Sequence, residues 1–142
     1  MKARRQSMGG YLPQRRQKSD LTLNVPPLES FERLLKTSGE REISTTMAFV
    51  RMLSTLTRNK DIGKNIVPIV PDEARTFGME GMFRQLGIYS YSGQLYKPMD
   101  ADQVMYYRED IKGQILQEGI NEAGAMSSWI AAGSSYYTHG VN

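Results

Sequence analysis

Cysteine is absent from this 142-residue sequence, and histidine occurs once, as His139. Without cysteine there is no disulfide, no thiolate metal site and no cysteine nucleophile, which agrees with a cytoplasmic setting. A single histidine excludes a His-based triad or a multi-His metal site within the chain. No apolar run approaches the ~20 residues of a membrane helix, so no membrane partner is expected. The basic start has no apolar stretch behind it and is not a secretory signal; Tyr11-Leu12-Pro13 speaks against an organelle transit helix. Acid is also missing locally. The first 18 positions hold Lys2, Arg4, Arg5, Arg15, Arg16 and Lys18 and no carboxylate, while the rest carries a net charge of −3. The basic character therefore belongs to the lead-in. With Tyr11 as its only aromatic, the lead-in has no stacking platform, so no nucleic-acid partner is expected.

The residues that are present suggest one α/β unit. Residues 1–24 are polar and Gly/Pro-interrupted and read as an extended basic lead-in, followed over 25–142 by a connecting helix and part of an α/β domain. Leu28, Phe31, Leu34 and Leu35 share one face of a short helix that stops at Gly39. Ser44 or Thr45 caps a helix running to about Arg58, with Met47, Val50, Leu53 and Leu56 on its apolar stripe and Phe49 and Met52 widening it. Ile66-Val67-Pro68-Ile69-Val70 reads as a buried parallel strand, although Pro68 fits a central strand poorly. Residues 76–83 read as loop with one helical turn, and 89–100 as turn-rich. Gln114-Ile115-Leu116-Gln117 reads as a second strand, and 121–135 as a helix of small residues, with Trp129 expected in the core. Residues 66–133 thus make an α/β layer of the kind that forms half of a cofactor-binding domain.

Two carboxylate pairs stand out. Asp72 and Glu73 follow the first strand, where open α/β sheets place ligands. The simpler reading, favoured on local evidence, is an exposed loop with an Arg75 ion pair. Glu118 and Glu122 flank the start of the last helix. Acids are favoured there by the helix dipole alone, yet the small residues that follow would admit a ligand against a buried Glu of raised pKa.

Three stretches carry a resemblance. They are Glu42-Ile43-Ser44-Thr45-Thr46-Met47-Ala48-Phe49-Val50-Arg51, the run Val67 through Asp72-Glu73-Ala74-Arg75-Thr76-Phe77-Gly78-Met79-Glu80-Gly81, and Lys112-Gly113-Gln114-Ile115-Leu116-Gln117-Glu118-Gly119-Ile120-Asn121-Glu122. Together with Gly10-Tyr11-Leu12-Pro13, they resemble the homodimeric type of pyruvate dehydrogenase decarboxylating component, which depends on thiamine diphosphate. The resemblance implies a partial thiamine-diphosphate-binding fold: a connecting helix plus the first half of the pyrimidine-binding, transketolase-like central domain. It implies an oxidoreductase of the 2-oxo acid dehydrogenase complex, on the route from glycolysis to acetyl-CoA. Such an enzyme decarboxylates pyruvate and passes the acetyl group to the lipoyl domain of dihydrolipoyl acetyltransferase.

Glu122, followed by Ala123-Gly124, matches the family's catalytic glutamate, which hydrogen-bonds the N1′ nitrogen of the aminopyrimidine. Ile120 matches a position beside that ring. Asp72 and Glu73 match acidic residues at the active-site entrance. Glu118 is set aside. The family's Gly-Asp-Gly…Asn-type motif for Mg²⁺ and diphosphate is absent, so no metal ligand is expected in this chain, and the chain alone is expected to be inactive. Two other readings stay open: a non-catalytic interaction module and an inert truncated reading frame.

Overall fold

The computed structural model describes residues 1–8, 22–99, 101–102 and 106–142. Helix α1, Lys2–Ser7, corrects part of the extended lead-in. Lys, Ala, Arg and Gln are all good helix formers, and the chain-breaking residues come only later. The break at Tyr11-Leu12-Pro13 and the Gly10–Pro13 resemblance lie outside the described residues. A 3₁₀ turn, Leu28–Phe31, leads into the four-residue α2, Glu32–Leu35, which carries the short apolar face.

Helix α3, Thr45–Thr57, is capped by Ser44, whose Oγ accepts the Met47 N–H at 3.1 Å. Its apolar stripe is narrower than the sequence implies. Val50, Leu53 and Thr57 are buried, Met47, Met52 and Leu56 are half-buried, and Phe49 lies exposed on the flank.

The strands are short and parallel. Ile69–Val70 (β1) pairs with Leu116–Gln117 (β4), in the register Ile69↔Leu116 and Val70↔Gln117. Ile88–Tyr89 (β2) pairs with Glu109–Asp110 (β3). Ile115 joins the two pairs through a parallel bridge to Ile88. Its N–H donates to the Gly87 carbonyl at 3.0 Å, and its carbonyl accepts the Tyr89 N–H at 2.8 Å. Pro68 is resolved by position. Among the described residues β1 pairs on one side only, so the missing N–H interrupts no ladder, while the Pro68 carbonyl accepts the Leu116 N–H at 2.9 Å.

Helix α4, Glu80–Leu86, extends the single helical turn expected within 76–83 by three residues beyond Phe83. Gly78, Gly81 and Gly87 punctuate the sequence there, yet Met82 and Phe83 both turn inward, and Gly87 at φ 69° ends the helix. The core is continuous: Val50 and Leu53 from α3, Val70 from β1, Met82 and Phe83 from α4, Ile88 from β2, and Ile115 at 0% exposure. Phe83 stacks edge-on against Tyr107, with ring centroids 5.8 Å apart. Backbones meet closely where the two strand pairs join. A Cβ on Gly113 would lie 2.3 Å from the Ile88 carbonyl, so only glycine fits without a shift. Helices α5, Glu122–Gly133, and α6, Ser135–Thr138, close the chain, and neither contains a buried residue.

Candidate active-site face

Because β1 and β4 are parallel, their carboxyl ends emerge on the same side of the sheet. That brings the two carboxylate pairs, 72–73 and 118–122, to one edge, the edge where open α/β sheets bind ligands. The two turns are stitched together. The Gln117 side-chain N–H donates to the Asp72 carboxylate, and the Glu118 N–H donates to the Val70 carbonyl at 2.9 Å. Asp72 sits at φ 57°, a left-handed conformation uncommon outside glycine and better tolerated by Asp than by most residues. The Gln117 side-chain oxygen, Oε1, is buried and meets no hydrogen-bond partner among the described residues. Sequence reasoning assigned Gln117 no role, and only the strand register reveals one. Arg75 forms no ion pair among the described residues, so the simpler account of this loop lacks its expected contact.

Beyond β4, Gly119 at φ 66° turns the chain into α5. Asn121 caps that helix, its Oδ1 accepting the Gly124 N–H at 3.0 Å. Glu122 therefore stands in the first turn, where the aligned peptide dipoles favour a carboxylate. It borders an open groove of about 300 Å³ with Ile69, Pro71, Ala125, Met126 and Trp129.

The expected burial of this carboxylate is not present. Glu122 is exposed, as are Asp72 and Glu73, and Ile120 stands 82% exposed. Glu118 is the more enclosed of its pair: it is half-buried and accepts the Ser128 hydroxyl from two turns along α5. Glu118 thus clamps α5 to the end of β4, while Glu122 is left facing open space. Trp129, expected in the core, is 63% exposed and forms one wall of the groove. On its other side it borders a larger apolar groove, about 590 Å³, between α3 and β1, lined by Phe49, Val67, Phe77 and Met79 among others. The helix rests on β1, and none of its residues is buried among the described residues.

A second cluster lies at the other end of the sheet. Tyr96 and Tyr107 both donate to the Glu109 carboxylate, at 2.8 and 3.1 Å. Burial, and then the hydrogen bond to Glu109, push the Tyr107 phenol well above its ordinary range. Asp110 accepts the Lys112 N–H at 2.9 Å, and this bond, followed by Arg108, holds its carboxyl below the usual carboxylate range. Among the described residues no group of three or more His, Asp or Glu side chains converges as a metal site would require. No helix among them is long and apolar enough to cross a membrane.

Comparison with known proteins gives this face its context. The pyruvate dehydrogenase E1 component of Pseudomonas aeruginosa is 71% identical over 136 residues, which is 96% of this chain and 15% of that protein. The protein of the same name from Cupriavidus necator is 64% identical over 99% of this chain and 16% of its own length. The Escherichia coli K12 protein of that name is 56% identical over 98% of this chain and 16% of its own length. The chain therefore spans about 15% of the length of the curated relatives it matches. A family model described as the pyruvate dehydrogenase E1 component middle domain matches residues 23–142, and the chain belongs to that family.

Proposed function

We propose that this chain is the proton-handling part of a pyruvate dehydrogenase E1 component, the half of the cofactor site that receives an aminopyrimidine ring. The observation that carries the reading is the meeting of β1 and β4 carboxyl ends beside Glu122, in a chain of this family. The residues present suit one side of thiamine diphosphate. Glu122 can accept or share a proton at a ring nitrogen, and Ile69, Pro71, Ala125 and Met126 offer an apolar shelf for a flat heterocycle. They do not suit its other side, because no carboxylate cluster converges among the described residues to hold Mg²⁺ and a diphosphate. When bound, the cofactor supplies a carbon nucleophile for the keto group of a 2-oxo acid such as pyruvate.

In this reading Glu122 would accept or share a proton at the ring nitrogen, and Asn121 fixes its position by capping α5. Proton sharing requires burial, since burial raises a carboxyl pKa toward that of its partner. Glu122 is exposed, so the cover must come from polypeptide outside this chain. Ile120 then packs beside the ring, and Asp72 and Glu73 stand at the entrance. The complete enzyme, on the same reading, is a cytoplasmic homodimer that hands the acetyl group to a lipoyl domain.

The test is a graft. The corresponding segment of the Pseudomonas aeruginosa relative is replaced by this chain, and pyruvate-dependent ferricyanide reduction is measured. The graft is expected to turn over, and Glu122→Gln is expected to lower its rate by ~10²-fold or more. Binding of thiamine diphosphate, followed by circular dichroism, gives a readout separate from turnover. Unchanged rate and binding in Glu122→Gln would remove Glu122 from the mechanism. The 142-residue chain alone is expected to show no turnover.

A further inference from the structure

A third groove lies on the opposite side of α3 from the core, between α2, residues 36–43 and the outer face of that helix. It encloses about 660 Å³. Arg33, Lys36, Arg41, Arg51 and Arg58 line it, and Glu32, which pairs with Lys36, is the one acid among its lining residues. Residues 19–142 carry a net charge of −3, yet this groove gathers five of their twelve cations, so its charge runs against that of the body around it. The placement follows from helical period. Val50, Leu53 and Thr57 face the core, while Arg51, Ser54, Thr55 and Arg58 recur at i, i+3, i+4 and i+7 on the other face.

Among the described residues the side chains of Arg33, Arg41 and Arg51 carry no hydrogen bond or ion pair, although Glu40 and Glu42 flank Arg41 in sequence. Arg58 donates to the Gln85 side chain at 3.1 Å, which fixes its Nε and leaves its other donors available. Guanidinium groups match carboxylates in pairs of parallel hydrogen bonds. Arg51 and Arg58 stand two helical turns apart, about 10.5 Å along the axis. Carboxylates three residues apart on a peptide in the extended polyproline II conformation lie on one side of it and approach that spacing, at about 3.1 Å per residue. Leu34 and Ile43 add apolar surface for aliphatic side chains between the acids. No aromatic ring lines the groove, so it offers nucleic-acid bases nothing to stack on.

We propose that the groove between α2 and α3 docks an extended acidic peptide segment of a partner protein, with acids recurring every third residue and aliphatic side chains between them. The charged rim speeds and orients docking, so binding falls as salt rises. This site is independent of the Glu122 face and stands or falls without it.

The test uses the 142-residue chain and a fluorescein-labelled peptide of repeated Glu-Leu-Val, with a Gln-Leu-Val peptide as its uncharged counterpart, followed by fluorescence anisotropy. The glutamate peptide is expected to bind. Arg51→Glu or Arg41→Glu is expected to weaken it about tenfold, whereas the Lys2→Glu/Arg4→Glu double variant of α1 changes binding by less than about twofold. The glutamine peptide tests the same charges without altering the protein's fold. No binding, equal binding of the glutamine peptide, or an equal loss in the α1 variant would overturn the proposal. So would tighter, Arg51-dependent binding of oligothymidylate, which would make the groove a nucleic-acid site.

Discussion

The strand-and-α4 region and helix α5 use similar apolar side chains and leave them in opposite environments. Phe83 and Ile115 are sealed between α3, α4 and the strand pairs, at 2% and 0% exposure. Met126, Trp129 and Ile130 on α5 are each more than half exposed. The first region supplies its own cover, because α3, α4 and the strand pairs share one buried cluster. Helix α5 touches β1 and α6 and, among the described residues, buries no side chain of its own. The part that sets the strand register is buried among the described residues, and the part that carries Glu122 is an open apolar surface.

The contrast is most sharply tested at Phe83. Phe83→Ala leaves a cavity in a closed environment and is expected to cost ~3–5 kcal/mol, read as a fall in the urea midpoint of the chain. A loss below ~1 kcal/mol would mean that this region is no better packed than α5. Next comes Gly113→Ala. The added methyl would meet the Ile88 backbone, which cannot swing aside as a side chain can. Overpacking of this kind is expected to cost ~1–3 kcal/mol and to speed amide exchange at Ile88 and Ile115, where the strand pairs join.

These two positions also show how far the sequence could be read. The α3 cap, strands near 69–70 and 116–117 and the start of α5 at Asn121 were all legible, because a capping residue or a short apolar run marks each, but the pairing of those strands was not. Strands β2 and β3 were not, since two residues show no period and Glu109-Asp110 has the composition of a loop. The length of helix α4 was hidden by Gly81 within it and Gly87 after it. At the candidate site the residue types could be anticipated, but their meeting at one sheet edge follows from the β1–β4 register. Burial could not, because it depends on what lies across α5. Local reading put Trp129 in the core and expected a buried glutamate, yet Trp129 lies on the surface and Glu118 is more enclosed than Glu122. The Gln117–Asp72 bond spans 45 residues and leaves no local trace.

Asn121→Ala is a smaller test, directed at α5 itself. The Gly124 N–H loses its acceptor, an expected cost of about 1 kcal/mol. With no buried residue to anchor the helix, its amides are expected to exchange faster while those around Phe83 keep their protection. Uniform loss across both regions would show that α5 and the core unfold together, which would erase the distinction between them. Acid gives a milder probe of the core side. The folded Asp110 carboxyl lies below its usual range, so its contribution is present above that range and is lost as pH falls through it. Asp110→Asn should flatten the acid limb of a stability–pH profile, without the same change in α5 exchange.

The smallest expected effect is at Trp129. A large aromatic residue replaced by Ala is among the costliest changes when it is buried. Here the ring is 63% exposed and walls a groove open to solvent, so Trp129→Ala is expected to move the urea midpoint by no more than ~0.5 kcal/mol. The same substitution should reduce binding of the dye ANS, since it strips apolar surface from both grooves that meet at this ring. The combination is what distinguishes an uncovered site wall from a core residue: little stability lost, but a measurable loss of apolar surface. A cost near that of Phe83→Ala would place Trp129 with the core, and the groove beside Glu122 would then be closed packing with no room for a ring.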